Sequence, residues 1–228
     1  MVHLRPTAPV AADVLLPGDP GRALALAQDL LASPRMSNHH RGLWGYYGET
    51  AVGTPLTIQS TGVGGPSAAI VLHELAELGT RRAIRVGTCR ATPRGPGLGS
   101  LIVADDAIAG DGTSRALGAT ELVSAAAALS DALAVADPEA IRGRIATIDL
   151  FYSPDGQRRG DCAAIEMETA PLFALGPRSG VELASILIVV AGPRGERLED
   201  AELGAAELRA GRAAAAALAS VSAPTTPN

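Results

Sequence analysis

Ile84-Arg85-Val86-Gly87-Thr88-Cys89-Arg90 is the stretch from which the fold is read. Ala83 to Gly87 has the character of a buried strand, and it ends in a small polar turn. An arginine two residues before a glycine, with a hydroxyl just after it, suits anion binding. Guanidinium, hydroxyl and free backbone N–H groups converge where the sheet stops. Three other strand ends have matching character. Leu15-Leu16-Pro17-Gly18-Asp19-Pro20-Gly21-Arg22 offers glycines and an arginine, Ser60-Thr61-Gly62-Val63-Gly64-Gly65-Pro66-Ser67 a Gly-rich turn, and Ile165-Glu166-Met167-Glu168 a pair of carboxylates. Together they predict a site that grips an anion and a polyhydroxy ligand at once.

Outward from that stretch, alternating strands and helices are expected. Ala12–Leu16 reads as a strand, Arg22–Leu31 as a helix, and Trp44–Val52 with Pro55–Ser60 as a hairpin. Pro66 opens a helix that continues over Ala68–Leu78 and stops at Gly79. Leu101–Ala104 is a strand, Glu121–Ala136 a helix, Ile145–Phe151 a strand, Glu166–Leu175 a helix, Leu183–Val190 a strand and Ala201–Val221 an Ala-rich helix. Fully apolar strands alternating with helices predict an α/β fold: one three-layer domain, its mixed, mostly parallel sheet flanked by helices on both faces. Ligands bind beyond the strand ends of such sheets. The domain is expected over 1–222, with 223–228 a flexible tail.

The 228 residues suit one well-packed domain. Aromatic residues make up 3% and lysine is absent, so all 19 basic side chains are arginine. A net charge of −5 without a basic tract argues against nucleic acid as a partner. Cys89 and Cys162 match neither zinc spacing nor a disulfide framework, which predicts reduced thiols and a cytoplasmic location. No apolar run has membrane-spanning length, so no membrane partner is expected.

The segments PGDPGRA, NHHRG, STGVGGPSAAIVLHELAELG, IRVGTC, DGTS, DLFYSPDG and IEMETA stand in the order and near the spacing of one family. In them the chain resembles the nucleoside phosphorylases, which include hexameric bacterial purine nucleoside phosphorylases, uridine phosphorylases and methylthioadenosine phosphorylases. The resemblance implies that Gly18, Arg22, Arg85 and Thr88 bind phosphate, joined by Arg41 from a neighbouring subunit. It implies that His3 crosses an interface to the ribose, that Met167 and Glu168 lie under the sugar, and that Glu166 and Phe151 line the base pocket. Arg85, Glu168 and Arg22 would then carry catalysis. The implied reaction is reversible phosphorolysis of a nucleoside to free base and (deoxy)ribose 1-phosphate. Phosphate is a co-substrate, and no cofactor or metal is needed. Sites shared across a dimer imply self-association, a hexamer built as a trimer of dimers among the possibilities.

Two positions depart from the family pattern. Purine-specific members carry an aspartate where this chain has Ala191-Gly192, and Arg90 stands where a glycine is usual. Gly156-Gln157-Arg158-Arg159 resembles the segment with which uridine phosphorylases read uracil, so Gln157 and Arg159 join Arg90 as candidate base-binding residues, and the expectation leans to pyrimidine nucleosides. A purine or modified-nucleoside phosphorylase, a catalytically degenerate nucleoside-binding protein and a water-using nucleosidase remain alternatives. Singly, each motif has an ordinary reading: PGDPGR is a helix start, TGVGG a turn, and Glu166 and Glu168 are acidic residues at a helix N-terminus. Only the ordered set carries function.

Overall fold

The computed structural model describes residues 1–152 and 160–221. Strand β1 (Asp13–Pro17) leads into helix α1 (Pro20–Leu30), where Pro20 occupies the first turn and the Asp19 carboxylate accepts the Arg22 N–H at 2.8 Å. Strands β2 (Ala32–Asn38), β3 (Gly45–Glu49) and β4 (Pro55–Gln59) form an antiparallel meander, and helix α2 (Gly65–Glu77) follows. Then come β5 (Arg82–Ala91), β6 (Leu101–Ala109), the short α3 (Gly112–Ala116), β7 (Leu122–Ser124) and α4 (Ala127–Ala136). The chain continues through β8 (Ile141–Thr147), β9 (Ala164–Glu166), α5 (Thr169–Leu175), β10 (Glu182–Ala191) and α6 (Asp200–Ser220).

All these strands belong to one sheet, in the order β10-β6-β8-β9-β5-β1-β4-β3-β2, with β7 on β6. Because β10 also pairs with β5, five strands close into a ring, β5-β10-β6-β8-β9, from which the rest of the sheet extends through β1. The sheet is mixed. Its parallel spine is β4-β1-β5-β10, while β3, β2 and the ring contacts β10–β6 and β9–β5 are antiparallel.

Alternate residues of one strand feed two cores. Val14 and Leu16 pack with Ala68, Val71, Leu72 and Leu75 of α2 and with Leu172 and Phe173 of α5. Leu15 faces the other way, onto Leu26 of α1, Leu129 and Leu133 of α4, and the alanines of α6. The Ala-rich sequence of α6 thus has a packing reason, since small residues let helices approach closely. At Gly211 a Cβ would lie 2.3 Å from Leu26 Cδ2, so α1 and α6 touch almost backbone to side chain.

Several elements differ from the sequence expectation. The stretch read as one helix over Glu121–Ala136 divides, because Leu122–Ser124 is captured as an edge partner by Asp106–Ile108 of β6 and helix begins only at Ala127. The helix expected from Glu166 starts at Thr169, since Ala164–Glu166 pairs with both β5 and β8. Strand β8 begins four residues earlier than expected and stops at Thr147, in register with β6 along Ile102–Ala109. Strand β2, with its polar sequence ASPRMSN, carries no alternation by which it could be recognised. Across these cases tertiary pairing overrides local pattern.

Candidate active site

The ends of β1, β4, β5, β9 and β10 surround a cavity of about 370 Å³. Gly18, Arg22, Arg85, Thr88, Arg90, Phe151, Glu166, Met167 and Glu168 all line it, together with Gly62, Val63, Cys89, Ile148, Ile165, Val190 and Ala191. Residues far apart in sequence therefore converge as the strand-end reading anticipated.

Arg85 is the hub. Its peptide is flanked in register by Leu16 of β1 and Ser185 of β10, and its side chain is only 3% exposed. The guanidinium folds back along its own strand past Gly87. A Cβ at residue 87 would lie 2.7 Å from Arg85 Cζ, so only glycine leaves room for this conformation. Nε donates to Glu166 Oε2 at 3.2 Å, and Nη2 is shared between Glu166 at 3.1 Å and a short contact to Glu168. Burial opposes the positive charge, but Glu168 and Glu166 outweigh it and hold the guanidinium pKa above its ordinary value. Nη1 is buried without a hydrogen-bond partner, and it is the side-chain atom nearest to the missing side chain of Gly18, 3.9 Å from where a Cβ would be, with the Gly62 carbonyl oxygen at 3.5 Å. A buried donor left unsatisfied costs about 1–3 kcal/mol, so an acceptor entering beside Gly18 is strongly favoured.

The two carboxylates play unequal parts. Glu166 is held on every side: Thr147 Oγ1 at 2.5 Å, the backbone N–H groups of Glu168 and Thr169 at 2.9 Å, and Arg85. Its carboxylate fixes Arg85 and the start of α5, and it has little capacity left for a ligand. Glu168 bridges Arg85 and the backbone N–H of Gly64, at 2.5 Å, where α2 begins. Met167 lies between them on the cavity wall.

Arg22 reaches the same cavity from α1. Glu207 of α6 holds its Nε at 2.7 Å, and the Val86 carbonyl accepts from Nη1 at 3.3 Å. Neither Glu207, which orients Arg22, nor Thr147, which orients Glu166, belongs to a motif, and nothing local in the sequence marks them. Cys89 is buried, and burial and then Glu166 push its thiol pKa up, which removes it as a nucleophile.

At the opposite end, the Arg90 guanidinium lies over the Phe151 ring, 5.6 Å from its centroid, and Phe151 meets Tyr152 edge-on. Strand β10 carries a bulge here: Val189 pairs with Cys89 and Ala191 with Arg90, so Val190 is the extra residue. The backbone turns back at Gly192, whose N–H donates to the Glu196 carbonyl at 2.9 Å. No acidic side chain from this turn lines the cavity.

His3 and Arg41 lie outside the cavity lining. The Glu74 carboxylate accepts from His3 Nδ1 at 2.9 Å, and the His3 carbonyl meets His40 Nδ1 at 2.9 Å, beside Arg41. Arg41 is exposed and takes a left-handed conformation, φ 60°, uncommon for arginine. Gln157 and Arg159 fall outside the described residues. Among the described residues, no group of three or more His, Cys, Asp or Glu is placed to hold a metal ion, and no helix is long and apolar enough to cross a membrane.

A sequence model of the phosphorylase superfamily matches residues 13–223, every strand and helix described above included. The chain belongs to the nucleoside phosphorylase family. It is 33% identical over 192 residues to a DeoD-type purine nucleoside phosphorylase of Alkaliphilus metalliredigens, covering 79% of this chain and 82% of that protein. Similarity to a guanosine phosphorylase of Halorubrum lacusprofundi is 35% over 185 residues, 77% and 76% of the two chains. A uridine phosphorylase of Treponema pallidum is 32% identical over 213 residues, 83% and 82% of the two chains.

Proposed function

We propose that the cavity binds inorganic phosphate between Gly18, Arg22, Arg85 and Thr88 and uses it to displace the base of a nucleoside. The observation that carries this reading is the unpartnered Nη1 of buried Arg85, facing Gly18. Arg22 approaches from α1, so two guanidinium groups from different elements meet one anion, each in the planar geometry that suits phosphate. The pentose lies over Met167, where Glu168 accepts hydrogen bonds from its hydroxyls. As the glycosidic bond lengthens, positive charge grows on the sugar, and a phosphate oxygen held near C1′ both stabilises it and forms the new bond. The products are the free base and pentose 1-phosphate.

His3 and Arg41 lie apart from the cavity of their own chain, which supports a site completed by a second subunit: Arg41 towards its phosphate and His3 towards its sugar. The assembly proposed is a dimer or a hexamer of three dimers. The lean to pyrimidine nucleosides rests on Gln157 and Arg159, and relatives named for purine nucleosides, guanosine and uridine leave both base sizes in play.

The test is base release from inosine, guanosine, adenosine, uridine and thymidine, each with and without phosphate. Phosphate-dependent release is the expected result. Release independent of phosphate would make the protein a nucleosidase, and binding without release a repurposed nucleoside-binding protein.

A further inference from the structure

Arg90 is a cation in the base half of the cavity, and among the described residues no acid pairs with it. It lines the cavity, and among the described residues its guanidinium meets the face of Phe151 and makes no hydrogen bond or ion pair. The carboxylates that line the cavity are engaged elsewhere: Glu166 by Arg85, Thr147 and two backbone N–H groups, Glu168 by Arg85 and the Gly64 N–H, and Asp19 by the Arg22 N–H. A guanidinium over an aromatic face keeps its N–H donors, which lie in its own plane, free for a ligand. Beside Arg90, the β10 bulge presents only Val190 and Ala191 to the cavity.

From this arrangement, and resting on the phosphorolytic reading above, we propose that Arg90 stabilises the departing base as an anion, and that the enzyme therefore takes nucleosides whose base carries an exocyclic carbonyl. When the C1′–N bond breaks, its electron pair goes to the base nitrogen and a phosphate oxygen bonds to C1′. In an oxo-base the negative charge spreads through the ring to the carbonyl oxygen, where Arg90 donates hydrogen bonds while keeping its own proton. The base is protonated by water after it has left. Hypoxanthine, guanine and uracil offer such an oxygen. Adenine offers an amino group there, and a donor against a donor is repelled. No side-chain carboxylic acid is needed on the β10 turn, because a fixed cation performs the same stabilisation without a proton transfer.

The experiment compares leaving groups. Inosine departs as an anion, whereas 7-methylinosine carries a positive charge and departs neutral; uridine and nicotinamide riboside form the equivalent pair for a smaller pocket. Arg90→Met, which keeps bulk and removes charge, is expected to lower kcat on the oxo-base nucleoside about a hundredfold, and on its cationic counterpart far less. Arg90→Lys should recover part of the loss, and wild-type enzyme should favour inosine or uridine over adenosine. Equal losses on both members of a pair would show that Arg90 only supports Phe151, and a gain in turnover would show that it obstructs the pocket; either overturns the proposal while leaving phosphorolysis intact. Adenosine turned over as fast as inosine would overturn the oxo-base preference. If the wild-type protein releases no base from any of these with phosphate, the phosphorolytic reading itself falls.

Discussion

At the residue scale, Arg85 is held by the carboxylates of Glu166 and Glu168 and keeps one buried N–H group, on Nη1, without a partner. Arg85→Ala would remove an anion donor and leave Glu166 and Glu168 buried without their cation. We expect phosphorolysis to fall by at least about a hundredfold, and stability to drop by roughly 3–5 kcal/mol. Steady-state kinetics and thermal unfolding read the two effects separately. Gly87→Ala tests position alone: the new methyl would displace the guanidinium, and a shift of about 1 Å is enough to cost on the order of a hundredfold in rate. Normal phosphate kinetics in that variant would mean that Arg85 tolerates displacement. The sequence marks Arg85, Gly87 and Glu168 because they sit at strand ends rich in glycine and hydroxyls. It does not mark the role of Glu166, because whether a carboxylate meets solvent or Thr147 and Arg85 is decided by β8 and β9 coming together in space.

At the scale of elements, the chain N-terminus is tied to α2 by one side chain. Glu74 Oε1 and Oε2 accept the backbone N–H groups of Val2, His3 and Leu4 and meet the His3 ring. Burial alone would raise its pKa, but these hydrogen bonds outweigh it and lower it to about 2, against an ordinary 4.5. A carboxylate depressed in the folded state stabilises the fold fully above pH 4.5, and that contribution is lost as pH falls through about 2. The Tm difference between wild type and Glu74→Gln should therefore be constant near neutrality and shrink between pH 4.5 and 2; a difference independent of pH would remove Glu74 as the anchor. The same anchor places His3, so Glu74→Gln should also lower activity at neutral pH if His3 serves a neighbouring site. Helices α1, α2 and α6 and strands β1, β5 and β10 follow from period and caps. The short strands β7 and β9 escape, since three residues hold no period and acquire their conformation only from a partner strand.

At the scale of the molecule, a site completed by two subunits predicts complementation. An Arg85→Ala chain and an Arg41→Ala chain, each impaired alone, should regain activity when mixed and allowed to exchange subunits, since one site in a mixed pair would have both arginines intact. Absence of recovery in mixtures shown to exchange would place Arg41 outside the site. The α/β architecture is legible from alternating apolar runs, whereas ring closure is not: the β5–β10 pairing joins strands about a hundred residues apart, and no local pattern records it. That closure also bears on how the two halves of the cavity can change. The amides around Arg85 are bonded into strands on both sides, so their hydrogen exchange should require near-global unfolding, and the anion end cannot be retuned by small loop movements. Arg90 stands beyond the β1 pairing, where β5 meets β9 and β10, beside a bulge that already absorbs one irregular residue. Substrate range can therefore diverge between relatives at that end of the strand while the anion grip stays fixed, and selection for a new base would act on side chains that the scaffold does not depend on.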